Sequence, residues 1–289
     1  MSSESLVWFI TGTSSGFGHD LTLAALQHGD KVIATARQLS AIEGLKEAGA
    51  SVLELDVASP LEEVKYVAEA AHSIYGRIDV VVNNAGYAIL GALEERTPEE
   101  TLEQFNVNVL GGLNVARAFL PYQRKAKTGT IVWIGSMVGW FGALGFALYS
   151  GTKHAIRAIA ETLHEEISPL GLRLIVLEPG MFRTAGMNPG KPTVEYVNRV
   201  EDYKTILEPW VTRYKAAYNN QPGDPKKFVK LLIDYVKLEG PFSKEQRGDK
   251  EVPISFPVGP DAYVSVTKRL SEQLKMMEDW KDVIRSTNF

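Results

Sequence analysis

Leu6-Val7-Trp8-Phe9-Ile10-Thr11-Gly12-Thr13-Ser14-Ser15-Gly16-Phe17-Gly18, running into Asp20-Leu21-Thr22-Leu23-Ala24-Ala25-Leu26, is the stretch that decides the fold. Its first five residues form a continuous apolar run, the pattern of a strand buried on both faces of a parallel sheet. A glycine-rich turn follows at once. Residues 20–26 then read as a helix, with Gly29 as its stop. Strand, glycine-rich turn and helix in that order open a dinucleotide-binding unit. The glycines let the backbone turn tightly and approach a pyrophosphate, and the helix N-terminus offers unpaired N–H groups to the anion. The spacing departs from G-x-G-x-x-G: Gly12 and Gly16 are separated by three residues, Gly16 and Gly18 by one. A glycine-rich turn alone is a weak signal, and its place straight after a buried strand strengthens it.

Working outward, the same alternation continues. Apolar runs at 31–37, 51–57, 79–82, 130–134 and 173–177 read as strands, and helical patterns lie between them at 60–75, 98–120 and 149–167. Thr97-Pro98-Glu99-Glu100 is a helix start, with a capping threonine, a proline at the first position and a glutamate to complete a capping box. Strands alternating with helices at this interval predict an α/β fold, a doubly wound parallel Rossmann-type sheet flanked by helices on both faces. The alternation lapses after Gly180. Residues 6–180 are read as the dinucleotide-binding core of a single domain spanning 1–289, 181–223 as a long, partly helical substrate loop or lid, and 224–289 as C-terminal helices and a last strand. Within that last part 226–237 and 261–280 look helical, 254–258 strand-like, and 240–251 a polar surface loop.

Composition narrows the function. Hydrophobic residues make up 45 % and charged residues 23 %, ordinary for a globular protein. Lys plus Arg is 31 against 35 for Asp plus Glu, a net charge of -4 that argues against a nucleic-acid surface. The absence of cysteine excludes disulfides, thiolate catalysis and Cys-ligated metal sites. No secretory signal and no apolar run near the roughly twenty residues of a membrane span is visible, so a cytoplasmic protein is expected. The five histidines form no H-E-x-x-H pair, so no metal site is expected. The acidic run Glu94, Glu95, Glu99 and Glu100 reads as charge compensation at a helix N-terminus.

Three residues then suggest chemistry. Tyr149 and Lys153 are four apart, so on a helix they share a face. An ammonium beside a phenol favours the phenolate and lowers a pKa otherwise near 10, which suits proton exchange with a carbonyl or alcohol. Ser136, at the end of the strand 130–134, offers a neutral hydroxyl to the same oxygen. Any helix can carry a Tyr and a Lys on one face, and it is the opening of the chain that favours the chemical reading. Arg37, after Ala36 at the end of the second strand, stands where such folds read the adenosine ribose, and suits a 2′-phosphate. Asp56 ends the third strand, where it can accept from an adenine amino group. The small residues of Asn83-Asn84-Ala85-Gly86 let a ring lie against the backbone.

Together these pieces resemble the short-chain dehydrogenase/reductases from about Leu6 to Thr184. The matching motifs are Thr11-Gly12 with Gly16 and Gly18, Asn83-Asn84-Ala85-Gly86, Asn108-Val109-Leu110-Gly111, Ser136, Tyr149 with Lys153, and Pro179-Gly180 with Thr184. The residue two after the tyrosine is Gly151 where the family usually has alanine. The resemblance implies a catalytic set of Asn108, Ser136, Tyr149 and Lys153. Tyr149 is then the general acid/base, Ser136 orients the carbonyl, Lys153 lowers the tyrosine pKa and holds the nicotinamide ribose, and Asn108 positions a water in a proton relay. It implies NADP(H) contacts from Gly12, Ser14, Ser15, Gly16, Phe17, Gly18, Arg37, Asp56, Val57, Asn83, Ala85, Gly86, Tyr149, Lys153, Pro179, Gly180, Phe182 and Thr184. The tail resembles the branch of hydroxysteroid- and retinol-dehydrogenase-like enzymes, and the family is commonly a homodimer or homotetramer through the helices from about Pro98 and Tyr149. An apolar, medium-sized carbonyl or alcohol substrate is expected against Trp140, Phe141, Phe146, Met181 and Met187, with Tyr196 and Trp210 from the excursion. Two other functions stay open at this point: non-redox chemistry on the same fold, and a non-catalytic NADP-binding sensor, which has no need of all four catalytic residues.

Overall fold

The computed structural model describes residues 5–184, 196, 197 and 199–288. In chain order the elements are β1 (Val7–Ile10), α1 (Gly16–Gln27), β2 (Lys31–Ala36), the short α2 (Glu43–Glu47), β3 (Ser51–Glu54), α3 (Leu61–Tyr75), β4 (Val80–Asn83), α4 (Pro98–Phe105), α5 (Gly112–Ala126), β5 (Thr130–Ile134), α6 (Ala147–Ile167) and β6 (Arg173–Pro179). They continue as α7 (Lys204–Ala216), α8 (Pro225–Lys237), the one-turn α9 (Lys244–Arg247), β7 (Ser255–Val258), α10 (Pro260–Asp279) and α11 (Lys281–Arg285). The seven strands form one sheet in the order β3-β2-β1-β4-β5-β6-β7, and every pairing is parallel. Strand order reverses between β1 and β4, so a crevice opens there at the carboxyl edge.

Alternation along β1 sends side chains to both faces. Trp8 and Ile10 pack with Leu21 and Ala25 of α1 and Phe228, Leu232 and Tyr235 of α8. Val7 and Phe9 pack with Val64 and Ala68 of α3 and Val115 and Phe119 of α5. A further cluster joins Ile156 and Ala160 of α6 to Ile131, Trp133, Leu174 and Val176 of the sheet. Side chains buried this fully contribute roughly 1.5–3 kcal/mol each, which is why strands with no polar face hold the middle of the sheet.

The elements differ from the sequence reading in definite places. α1 begins at Gly16, so the glycine-rich turn supplies its first turn. The single helix expected over 98–120 is α4 and α5 joined by a π-helical segment, Asn106–Gly111, and the run continues through Pro121 to Ala126. A Cβ on Gly111 would fall 2.8 Å from the Val57 carbonyl oxygen, so the backbone presses on the β3 loop where the helix widens. The capping box at Thr97 forms as expected: Thr97 Oγ1 accepts from the Glu100 amide at 3.2 Å, and a Glu100 carboxylate oxygen accepts from the Thr97 amide at 2.9 Å. β3 stops at Glu54, which leaves Asp56 in the loop beyond it. The loop expected at 240–251 contains α9. Among the described residues, no helix is long and apolar enough to cross a membrane.

Candidate active site

Because the sheet is parallel, the ends of β1, β2, β4, β5 and β6 share one edge, and the singled-out residues gather there. Gly12 has φ 69°, and a Cβ on it would lie 2.8 Å from the Ala85 Cα. The turn after β1 therefore lies directly on the turn after β4. Asn84 stitches the two together, its amide donating to the Thr11 and Gly12 carbonyls at 2.8 and 2.9 Å. The Thr11 hydroxyl accepts from the amides of Asn84 and Ala85, both at 3.1 Å. Gly18 has no room for a side chain, since a Cβ would meet Asn84 Nδ2 at 2.5 Å. At the head of α1, Ser15 makes no capping bond through its side chain. Ser14 and Ser15 are exposed. The first N–H groups of the helix thus face the crevice without a side-chain partner, the cradle a pyrophosphate needs.

The four catalytic candidates converge from three elements. The Ser136 hydroxyl lies near enough to Tyr149 to favour its phenolate. Ser136 Oγ also accepts from the Val138 amide at 3.3 Å. Lys153, buried one turn along α6 from Tyr149, donates to the Ile134 carbonyl at 2.7 Å, and its ammonium lies 5.5 Å from the Tyr149 ring centroid. Asn108 sits in the π-helical segment, an irregularity frequent at functional sites. Its carboxamide accepts from the Tyr87 amide at 3.0 Å and donates to the Tyr87 carbonyl at 2.8 Å and to Thr152 Oγ1 at 3.1 Å. A cavity of about 10 Å³ is lined by Asn83, Val57, Thr11, Asn108, Trp133 and Lys153 among others. The Asn83 carboxamide is buried there with neither polar atom bonded to the protein.

Burial governs the electrostatics. It pushes Tyr149 up to about 12, the nearby Ser136 hydroxyl pulling the other way, and it pushes Lys153 down to about 8. The phenol lowered by Lys153, expected from the sequence, is not what the protein alone produces: the cost of stranding a phenolate away from water is the larger effect.

The cofactor candidates divide by how they face the crevice. Thr184 lies over the glycine-rich turn, its Cβ 3.6 Å from where a Gly16 Cβ would be. Gly180 is held open by Asp261, which accepts from the Met181 amide at 2.7 Å and leaves no space for a Gly180 Cβ. Arg37 is exposed at the end of β2 and forms no ion pair with the described residues. Asp56 turns one oxygen to the Ala58 amide at 2.9 Å. Val57 is buried against Gly111. The Phe17 and Phe182 side chains point the other way, packing with Phe228 of α8 at 4.1 and 5.3 Å between ring centroids. Only their backbone is left to meet a ligand, because the seam between α1 and α8 takes their rings.

On the substrate side, Phe146 is buried among Leu90, Val211, Tyr149, Tyr196, Trp210 and Tyr214. Trp210 and Tyr214 stack at 5.2 Å, and Phe146 meets their edges at 5.3 and 5.4 Å. Burial, and then the nearby Tyr149, hold Tyr214 above the ordinary phenol range. Trp140 is not part of this wall. Its indole N–H donates to Glu178 at 2.7 Å, and the Arg157 guanidinium lies 3.1 Å from its ring centroid. Phe141 and Met181 are half-buried, and Met187 lies outside the described residues. The acidic run also does more than compensate a helix dipole. Glu95, 2 % exposed, accepts from the Tyr196 hydroxyl at 3.1 Å and the Arg199 amide at 3.0 Å, and Tyr203 donates to Glu94 at 2.8 Å.

Sequence reasoning places Thr11 and Asn84 in motifs without a role, reads Glu95 only as helix charge compensation, and misses Glu178 and Tyr214. Two of these carried a signal. Tyr214 is four residues from Trp210 and so shares its helix face, and Glu178 is a lone acid after the apolar run 174–177, directly before Pro179.

Residues 6–194 match the short chain dehydrogenase family. Over 282 residues the chain is 32 % identical to the oxidoreductase BOA17 of Botryotinia fuckeliana, covering 96 % of this chain and 97 % of that one. A crystal structure of a short-chain dehydrogenase from Streptomyces avermitilis superposes with a TM-score of 0.85 at 34 % identity, covering 99 % of this chain and 100 % of the other. An alcohol dehydrogenase from the archaeon Thermococcus sibiricus, complexed with 5-hydroxy-NADP, superposes at 0.67 with 26 % identity, covering 89 % of this chain and 97 % of the other.

Proposed function

The chain belongs to the short chain dehydrogenase family, and from that premise we propose that it interconverts a carbonyl and a secondary alcohol on an apolar, medium-sized substrate with NADP(H). The observation that carries this reading is the convergence of Ser136, Tyr149 and Lys153: Ser136 favours the Tyr149 phenolate, and the buried Lys153 ammonium lies 5.5 Å from the Tyr149 ring centroid.

The nicotinamide cofactor, when bound, supplies or takes up the hydride. The cradle fits it. Gly12, Gly16 and Gly18 with the head of α1 suit the pyrophosphate, Arg37 suits a 2′-phosphate, Asp56 keeps one carboxylate oxygen for the adenine amino group, and Asn83-Asn84-Ala85-Gly86 with Pro179, Gly180 and Thr184 border the nicotinamide end. The protein's own part is proton transfer. Ser136 holds the substrate oxygen by its hydroxyl, and Tyr149 gives that oxygen its proton in reduction or takes it in oxidation. The Lys153 ammonium favours the phenolate left behind. Asn108 and Lys153 line a cavity at the lower limit of what one water needs, which supports a relay refilling Tyr149 from within.

Phe146, Trp210 and Tyr214 give the substrate an aromatic wall beside Tyr149, a lining suited to a ligand held by burial. A homodimer or homotetramer accompanies this reading. Leu102 and Leu110 stand exposed on the α4 side, and Leu270, Leu274, Met277 and Ile284 stand exposed along α10 and α11. Following NADPH absorbance with a panel of ketones tests the function. Turnover of bulky apolar ketones supports it, and no turnover with any ketone or alcohol, in either direction, contradicts it.

A further inference from the structure

Glu178 is a buried carboxylate for which the proposed chemistry has no use. It lies on β6 directly before Pro179 and is 1 % exposed. One oxygen accepts from the Trp140 indole at 2.7 Å and from the Ser255 hydroxyl at 2.9 Å. The other lies 4.0 Å from the Arg157 guanidinium, which itself covers the Trp140 ring. Around this group wraps the loop that carries Ser136. A Cβ on Gly135 would fall 2.8 Å from Glu178 Cγ, and one on Gly139 3.4 Å from its free oxygen. The Gly135 amide donates to the Leu177 carbonyl at 2.7 Å, so the near end of the loop is pinned to β6 as well.

A carboxylate at this depth is a poor source of stability, because an apolar side chain of similar volume fills such a space at lower desolvation cost. What it supplies is direction. The hydrogen bond from Trp140 fixes the far end of the loop, the one from Ser255 ties the same oxygen to β7, the glycines let the loop close on the side chain, and Ser136 stands between the two fixed ends.

We propose that Glu178 is a positioning residue: through Trp140 it holds the 135–140 loop so that Ser136 meets Tyr149. Its kinetic consequence rests on the oxidoreductase reading, and its structural consequence does not.

Two variants separate the hydrogen bonds from the volume. Glu178→Gln keeps an oxygen able to accept from both Trp140 and Ser255, whereas Glu178→Leu fills the space with no acceptor. In the Leu variant, kcat for ketone reduction should fall roughly tenfold or more, the scale of a small misplacement at a reacting centre, while NADPH affinity stays at the parental value. Amide hydrogen exchange across 136–140 should rise in the same variant. The Gln variant should restore both. Parental kcat and parental exchange in the Leu variant, whatever its melting temperature, overturn the proposal, as does a Gln variant as impaired as the Leu one. If the parent reduces no ketone, the oxidoreductase reading fails, and the exchange comparison still decides whether Glu178 holds the loop. Should the Leu variant not fold, Trp140→Phe removes the indole donor and keeps an aromatic ring beside Arg157. It should reproduce the raised exchange and the fall in kcat, and its failure to do so overturns the proposal equally.

Discussion

Arg199 grips Glu100 through two hydrogen bonds, 3.0 and 2.7 Å long, and so ties the segment before α7 to the first turn of α4. The same guanidinium donates to the Glu95 carbonyl at 2.7 Å. α7 carries Trp210 and Tyr214 over Tyr149, so this staple sets where the aromatic wall stands. Arg199→Ala should raise KM for bulky ketones several-fold and leave the melting temperature almost unchanged, because partly exposed ion pairs contribute little to stability. Steady-state kinetics with ketones of graded size check this, and an unchanged KM for the largest would show that the wall stands without the staple.

The wall makes a second prediction, in which two tryptophans part company. Trp210→Ala should reorder the preference among large and small ketones. Trp140→Ala should leave the order alone, lower kcat for all of them together, and destabilise the protein by about 3 kcal/mol, since it vacates packing and strips a buried carboxylate of a donor. Relative kcat/KM across the panel, with a denaturation curve for each variant, distinguishes the two.

Lys153 gives a pH dependence of definite sign. Burial takes it from 10.5 in the open to about 8 in the fold. The unfolded chain therefore binds the extra proton between those values, and the contribution of this group to stability is present above the unfolded pKa and is lost as pH falls through about 8. Tyr149 runs the other way. Its pKa rises from 10.0 to about 12, so its contribution is complete below the unfolded value and is lost as pH rises through the folded one. Removing the lysine with Lys153→Met removes only the first effect. Denaturant titrations on either side of the lysine window should show the parent gaining on the variant as pH rises, by on the order of 3 kcal/mol across the whole window. A gap that does not change with pH would mean that Lys153 keeps its ordinary affinity for protons in the fold.

In the proposed function, preference for NADP(H) rests on Arg37. Loss of a charge-assisted contact to a 2′-phosphate is worth about 1.5–3 kcal/mol, or roughly ten- to a hundredfold in affinity. Arg37→Ala should raise the NADPH KM on that scale and leave the NADH KM near the parental value. Equal use of both cofactors by the parent contradicts this reading before any variant is made.

What could be read from the chain was what local physics writes there. Uninterrupted apolar runs marked the strands of a parallel sheet, and the glycine-rich turn after the first of them marked the crevice. Thr97, Pro98 and Glu100 announced the start of α4 because a capping box is a local device. The π-helical segment at Asn106–Gly111 is not legible in the sequence, where nothing marks the close approach of Gly111 to Val57, fifty-odd residues earlier in the chain and close only in the fold. The same limit applies to the aromatics. Phe146, Trp140, Phe17 and Phe182 look alike as sequence, and only packing shows that the first borders Tyr149 while the others face Glu178 or α8. The pKa of Tyr149 was read from its neighbour in sequence, and the fold set it by burial. Glu94, Glu95 and Glu100 were read from their place at a helix start, and their partners come from about a hundred residues away.

In the proposed reaction the Tyr149 hydroxyl delivers the proton. Tyr149→Phe removes that hydroxyl and keeps the ring against Phe146. The direct measurement is kcat for ketone reduction by this variant beside the parent, with NADPH affinity measured on both. In the variant kcat should fall about 10²–10⁴-fold, the usual worth of general acid–base catalysis, with NADPH binding nearly unchanged. A variant that reduces the ketone within a few-fold of the parent rate would contradict it and assign the proton to another group.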